Sequence, residues 1–113
     1  MQPERPRARR YPFAASVELT SLESEAEVRE QTIDLSLFGC RVTTVKPWAS
    51  GTKVRMRIAY RGAIFTALGR IAHARTSAGM GVVFTQIEQK DQLVLEKWIA
   101  ETRDACERAS QSD

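Results

Sequence analysis

Short alternations of apolar and polar residues occupy the chain up to about residue 87. The clearest covers residues 53–58, where lysine and arginine alternate strictly with valine, methionine and isoleucine. A period of two is typical of a strand that buries one face and exposes the other to water. We therefore predict a half-buried antiparallel strand here, with its arginines facing solvent.

Five further segments are rich in β-branched or aromatic residues, and runs containing glycine, proline, serine or acidic residues separate them. The separator Arg61-Gly62 is typical of a tight hairpin turn. Six short strands with short connections favour a closed antiparallel barrel, because closure removes exposed sheet edges. The predicted strands cover residues 11–20, 28–35, 40–46, 53–58, 63–75 and 80–85.

From about Glu88 onward the period lengthens to that of an amphipathic helix. We therefore predict an all-β fold, a six-stranded antiparallel barrel with one C-terminal α-helix packed against it. The expected organisation is a flexible arginine-rich arm at 1–10, the barrel at 11–87, the helix at 88–109 and a frayed tail at 110–113. The apolar residues at helical spacing are Val94, Leu95, Trp98, Ile99, Ala105 and Cys106.

The length and the charge of the chain limit the classes of protein it can belong to. A chain of 113 residues suits one domain. Its net charge of +3 is carried by the arm, since the remaining residues include 13 basic and 13 acidic side chains. A neutral body with a cationic arm favours one local anion site over a nucleic-acid-binding face. Because the chain has neither a long apolar run nor a secretory signal, we expect a cytoplasmic protein without membrane insertion.

The chain offers few groups for catalysis or metal binding. His73 is its only histidine, and we expect a structural or ligand-stacking role for it within a strand. The two cysteines, Cys40 and Cys106, do not have the spacing of a zinc site and are interpreted as ordinary thiols. We therefore predict no enzymatic activity, no metal site and no cofactor.

An arginine-rich arm precedes the first predicted strand. The planar guanidinium group of arginine can grip a phosphate or the acceptor edge of guanine with two hydrogen bonds. The simpler alternative is a solvated basic tail that binds no ligand. The cations of the arm are Arg5, Arg7, Arg9 and Arg10.

A second motif, Asp34-Leu35-Ser36-Leu37-Phe38-Gly39, connects two predicted strands. Asp34 could accept hydrogen bonds from the ring N–H and amino group of a guanine, Ser36 could bond a phosphate or hold the turn, and Gly39 would allow backbone close to a ligand. In the alternative interpretation the segment is a plain connection, in which Asp34 and Ser36 bond local N–H groups and Gly39 supplies a positive φ. We expect Asp34, like Arg9, to be exposed in the free protein.

Taken together and in this order, the two motifs resemble those of the PilZ family. That family carries an RxxxR arm ahead of the first strand, which Arg5 and Arg9 match, and a D/N-x-S-x-x-G turn after the second strand. Asp34, Ser36 and Gly39 match that turn at every specified position. The resemblance covers about residues 5–100 and also includes residues 47–58, 69–71 and 81–85.

The resemblance implies a six-stranded barrel that binds the bacterial second messenger cyclic di-GMP across its outer surface, with the arm closing over the ligand. It also implies that the signal passes to a downstream protein of a motility, adhesion, biofilm or exopolysaccharide system. The two phosphates and two guanines of the ligand are complementary to a cationic arm opposite a carboxylate. The implied ligand-binding residues are Arg5, Arg9, Arg10, Asp34, Ser36 and Gly39.

The arm departs from the family pattern in one respect. Family members usually have the second arginine immediately before the hydrophobic start of the first strand, and that residue here is Arg10, with Pro6 four positions earlier. In one interpretation the arm is shifted by one residue, and Arg5 acts with Arg9. In the other, Arg10 pairs with Arg5 or Arg7 through a bulged arm.

Two alternative functions are weighed against the receptor hypothesis. The first is a PilZ-fold adaptor that has lost the nucleotide and acts only through protein contacts, and the retained Asp34 turn argues against it. The second is a small barrel that binds nucleic acid through its arginine tail. The neutral body and the absence of aromatic residues interleaved with a basic surface argue against that one, so we predict no nucleic-acid partner.

Overall fold

The computed structural model of the protein describes residues 9–75 and 79–111. Within these ranges the chain forms strands β1 (Tyr11–Pro12), β2 (Ser16–Ser21), β3 (Glu27–Leu35), β4 (Gly39–Val42), β5 (Lys53–Tyr60), β6 (Ala63–Arg75) and β7 (Gly79–Gln86), followed by helix α1 (Gln89–Gln111).

Strands β2 to β7 close into an antiparallel barrel. Around the ring they follow the order β3-β2-β5-β6-β7-β4, and β4 pairs again with β3. β1 lies outside the ring and pairs with β3. The predicted six-stranded barrel with a C-terminal helix is therefore confirmed, with one additional short strand ahead of it.

The strand predicted at 11–20 is split into β1 and β2, and the side chain of Thr32 on β3 explains the break. The backbone N–H of Ala15 donates to the Thr32 hydroxyl at 2.9 Å, and that hydroxyl donates in turn to the Phe13 carbonyl. A side chain that bonds the neighbouring backbone in this way replaces regular strand pairing and bends the chain. The residues before Phe13 are thereby separated from the ring.

The strand predicted at 40–46 also ends earlier than expected, at Val42. The hydroxyl of Thr44 accepts the N–H of Lys46 at 3.1 Å, which is a local turn that competes with strand pairing. The chain then leaves the sheet ahead of Pro47.

β5 and β6 form the hairpin that the sequence predicts. Arg61 and Gly62 between them have φ angles of 50° and 80°, as a two-residue turn of the type favoured by strand twist requires. Along β5 the apolar residues have 0% exposure and the basic residues face solvent, so the predicted alternation is confirmed. The buried set is Val54, Met56 and Ile58, and the exposed set is Lys53, Arg55 and Arg57.

The first half of α1 packs against the barrel through buried Leu95 and Trp98. The carboxylate of Asp91 accepts the backbone N–H of Thr66 at 2.9 Å, at a stretch of β6 that lies beyond its last pair with β7. Asp91 thus satisfies a strand N–H that the barrel leaves free. The second half of α1 is largely exposed, and this includes Ala105, which helical spacing had placed on the packed face.

An aromatic cluster lies beneath the helix. The ring centroid of Trp98 is 5.4 Å from that of Phe13, 5.7 Å from that of Tyr60 and 6.3 Å from that of Phe65. Tilted and edge-on pairs at such distances are favourable aromatic contacts. The helix is therefore fixed to the barrel mainly by apolar and aromatic burial. Over residues 9–75 and 79–111, no helix has the length and apolar character needed to cross a bilayer.

Candidate ligand-binding site

Asp34 lies at the end of β3, where the arm and two strands meet. It pairs with Pro12 of β1 on one side and with Arg41 of β4 on the other. Its Oδ1 lies 3.2 Å from Nη1 of Arg10, and its Oδ2 lies 3.2 Å from Nη2 of Arg41. Each carboxylate oxygen therefore contacts a different arginine.

The expectation that Asp34 is exposed in the free protein is wrong, because only 9% of the residue is accessible to solvent. A buried carboxylate is costly unless opposite charges and hydrogen bonds compensate for the lost hydration. The two arginines provide that compensation, and they also cover the carboxylate.

The last two arginines of the arm point to different partners. Arg10 contacts Asp34, whereas the guanidinium carbon of Arg9 lies 5.4 Å from the ring centroid of Tyr11. Successive side chains of an extended chain point to opposite sides, so only one of two neighbours can reach a given carboxylate. Arg9 is exposed, as expected. Arg5 and Arg7 lie outside the described residues.

Ser36 holds the turn between β3 and β4. Its hydroxyl accepts the N–H groups of Phe38 and Gly39 at 3.1 and 3.2 Å and donates to the Gly39 carbonyl at 3.2 Å. The side chain is buried and fully used by these contacts. Of the two roles considered for Ser36, the structure shows the turn-holding one.

Gly39 is required by the packing of two strands. A Cβ atom at this position would lie 2.2 Å from the carbonyl oxygen of Val82 on β7, which is far closer than real contacts allow. Its φ is not positive, unlike that of Gly51 or Gly79. The structure therefore provides a reason that sequence analysis did not consider, since Gly39 pairs with β7 and a side chain there would collide with the β7 backbone.

Phe38, at the tip of the same turn, is 49% exposed, and its neighbour Leu37 is 38% exposed. The carbonyl of Phe38 accepts the N–H of Phe84, which fixes the backbone of the tip against β7. An exposed aromatic ring provides a surface on which a nucleobase can stack, and this one belongs to the turn that follows Asp34.

Arg41 is the site residue that sequence analysis missed. It lies on β4 directly opposite Asp34, and its side chain is 40% exposed. Its Nε is buried and has no hydrogen-bond partner among the described residues. The alternation after Gly39 indicates that Arg41 faces outward. Its pairing with Asp34, however, depends on the bulge in β3 between Thr32 and Asp34, which is not visible in the sequence.

Cys40 lies beside this site but faces the core. Burial raises the pKa of its thiol to about 12, Asp34 adds to the increase, and Arg10 opposes it. The thiol is therefore neutral at physiological pH, which does not suit a nucleophile or a metal ligand. Both Cys40 and Cys106 are free thiols, as interpreted from the sequence.

The remaining chemical groups give no metal centre in the part of the chain that the structure describes. No group of three or more histidine, cysteine, aspartate or glutamate side chains comes together there. The side chain of His73 lies outside the described part, so its predicted role in stacking or structure stays a prediction.

Comparison with known families identifies the fold and its lineage. The PilZ domain matches residues 4–101, which is most of the chain and includes both the arm and the Asp34 turn. The chain belongs to the PilZ domain family.

Solved PilZ structures have the same fold. The PilZ domain of CeSA from a cellulose-synthesizing bacterium superposes with a TM-score of 0.68 at 21% identity, covering 82% of this chain and 96% of that one. The PilZ domain of YcgR from Escherichia coli, determined with cyclic di-GMP, gives a TM-score of 0.68 at 18% identity over 96% of this chain and 100% of that one.

A third solved structure is longer than this chain. The Bacillus subtilis inhibitor of motility, MotI or DgrA, gives a TM-score of 0.72 at 17% identity, covering 88% of this chain and 51% of that one. No curated protein sequence matches this chain. At these identities the structural neighbours show the fold.

Proposed function

We propose that this PilZ protein is a receptor for cyclic di-GMP that relays the signal to a partner protein and has no catalytic activity of its own. The observation that carries the proposal is the contact between Arg10 and Asp34, at 3.2 Å and 24 residues apart in the chain. It brings the arginine arm and the Asp34 turn, the two motifs of the family, to one place.

The chemistry of these groups suits a guanine dinucleotide. A carboxylate accepts the ring N–H and amino group of guanine, and an arginine binds a phosphate or the acceptor edge of guanine with two hydrogen bonds. Ser36 and Gly39 contribute by fixing the turn that carries Asp34. The proposed site comprises Arg5, Arg9, Arg10, Asp34, Ser36 and Gly39.

Binding requires Arg10 to change partners. In the free protein Arg10 occupies Oδ1 of Asp34, so a guanine whose N–H donors reach that oxygen displaces it. The released arginine then turns to a phosphate or a guanine of the ligand. Because Arg10 directly precedes β1, this exchange moves the arm and offers a changed surface to a partner.

The partner class is proposed from the relatives. One structural neighbour is an inhibitor of motility and another comes from a cellulose-synthesizing bacterium. We propose that the partner of this chain belongs to a motility, adhesion, biofilm or exopolysaccharide system.

Isothermal titration of the protein with cyclic di-GMP tests the proposal. We expect a Kd in the micromolar range or tighter, and no heat from GMP or cyclic AMP, which leave half of the site unused. Asp34→Asn should weaken binding about ten- to a hundredfold, since it removes the charge that guanine donors favour. A flat titration of wild-type protein at about 100 μM would contradict the receptor function.

The adaptor that binds no nucleotide remains the second candidate, because a specific observation favours it. Both oxygens of Asp34 already contact arginines, and Ser36 and Gly39 shape the turn. The turn motif would therefore stabilise the fold even without a ligand. A flat titration of a folded protein would support this candidate over the receptor.

A further inference from the structure

We infer that Arg41 is a positioning residue of the ligand site: it remains bound to Asp34 when Arg10 leaves for the ligand. This inference rests on the proposed cyclic di-GMP binding and extends it to a residue outside both family motifs. It follows from the different attachment of the two arginines that share one carboxylate.

Arg10 is the exchangeable partner of Asp34. It precedes a strand of two residues, β1, which lies outside the closed ring, and its side chain is 53% exposed. A contact of this kind forms and breaks without any change in the barrel. A ligand that brings its own hydrogen-bond donors to Asp34 can replace it.

Arg41 is the fixed partner. It lies within β4, which is paired with β3 on one side and with β7 on the other, so its backbone cannot move without opening the ring. Its Nη2 lies 3.2 Å from Oδ2 of Asp34 on the neighbouring strand, which makes an ion pair. Among the described residues, it is the cation that the barrel itself holds against this carboxylate.

The buried state of Asp34 makes a fixed partner necessary. If Arg10 were its only cation, departure of the arm would leave a buried carboxylate without compensation, and the ligand would have to overcome that penalty. Arg41 removes the penalty in advance. Within residues 9–75 and 79–111, its buried Nε has no acceptor, which is a cost of this side-chain position.

The test uses Arg41→Met, which removes the charge but keeps most of the side-chain volume. Arg29→Met is the matched control, because Arg29 lies on β3 and its contact with Glu18 is a surface pair at 3.6 Å with the arginine 78% exposed. We expect Arg41→Met to raise the Kd for cyclic di-GMP about tenfold or more, and Arg29→Met to change it less than about twofold.

A double-variant cycle with Asp34→Asn separates positioning from direct contact with the ligand. If Arg41 acts through Asp34, the double variant Asp34→Asn/Arg41→Met binds like Asp34→Asn alone, within about twofold. If the double variant instead lost affinity by the product of the two single fold-losses, Arg41 would contact the ligand itself, and the inference would be overturned. Wild-type affinity for Arg41→Met would overturn it too.

Urea denaturation of the ligand-free variants gives a readout independent of the nucleotide. Arg41→Met should lower the midpoint urea concentration, and Asp34→Asn in the same chain should restore most of it, because the uncompensated charge is then gone. Midpoint losses that simply add would contradict the coupling. If Arg41→Met does not fold, Arg41→Gln replaces it in both cycles with the same expected outcomes.

The two failures are distinguishable. Absence of cyclic di-GMP binding by wild-type protein contradicts the proposed function, whatever the urea cycle gives. Binding by wild-type protein, together with unchanged binding by Arg41→Met, contradicts only the role of Arg41.

Discussion

The site around Asp34 and the surface beneath the helix join distant parts of the chain by different means. At the site, two arginines contact one carboxylate and remain 40% and 53% exposed. Beneath the helix, Trp98 is 3% exposed and Leu95 is fully buried. The contact of Arg10, whose side chain is 53% exposed, is the one that a ligand can replace, whereas buried apolar area is lost only at a large cost in stability. Under the proposed function, the contacts that respond to the ligand are thus separate from the contacts that stabilise the fold.

The largest effect is expected at the helix. Trp98→Ala should lower the free energy of unfolding by about 3–5 kcal/mol, because it empties the centre of the aromatic cluster. Urea denaturation followed by circular dichroism measures the loss. Leu93→Ala on the same helix is the control, since Leu93 is 60% exposed, and it should change stability by less than about 0.5 kcal/mol. Equal losses for the two variants would show that the helix is not fixed through Trp98.

A second test compares the two neighbouring arginines of the arm by titration with cyclic di-GMP. Arg10→Ala should weaken binding about ten- to a hundredfold, or about 1.5–3 kcal/mol, because a charge-assisted contact depends on direction. Arg9→Ala should have a smaller effect, since Arg9 lies against Tyr11 in the free protein.

The reverse ranking would favour the interpretation in which Arg5 acts with Arg9. Equal losses at all four arm arginines, erased as the screening length falls to about 3 Å near 1 M salt, would indicate a diffuse cationic cloud instead. Either result would remove the specific role of Arg10.

The smallest effect concerns Cys40, which lies under the site but belongs to the core. Its pKa rises from the ordinary 9.0 to about 12 in the folded protein, so the unfolded chain loses the thiol proton at a lower pH than the folded one. The Cys40 thiol therefore makes its full contribution to the free energy of unfolding below pH 9. That contribution falls as the pH rises towards 12. Between pH 8 and pH 10, wild-type protein should lose about 1 kcal/mol more than Cys40→Ala.

Thiol labelling checks the same burial without denaturant. At pH 8, iodoacetamide should modify the half-buried Cys106 and leave Cys40 unmodified until the protein unfolds. Rapid labelling of Cys40 in the native state would show that the barrel opens at β4.

The sequence was sufficient for most of the fold because its signals are local. Strict alternation on β5 and the glycine turn after it each depend on a few neighbouring residues, and the structure confirms both. The split of the first strand was not predictable in this way. It depends on the Thr32 hydroxyl, whose partners are 17 and 19 residues away.

The candidate site was predictable in its motifs but not in its contacts. Asp34 and the arm are recognisable from spacing, whereas the contact of Asp34 with Arg41 depends on a β3 bulge that brings Arg41 opposite it. Gly39 shows the same limit, since the Val82 carbonyl that excludes a side chain there lies 43 positions later in the sequence.

The position of β1 outside the closed ring has a consequence for how such sequences can evolve. Since the ring closes through β2 to β7 alone, an insertion or deletion ahead of Tyr11 alters no pairing within it. During evolution the arm can therefore change its length, and its position relative to the first strand, without disturbing the pairing of the barrel strands. A chain that keeps the Asp34 turn while its RxxxR motif shifts by one residue relative to the first strand is an outcome that this separation permits.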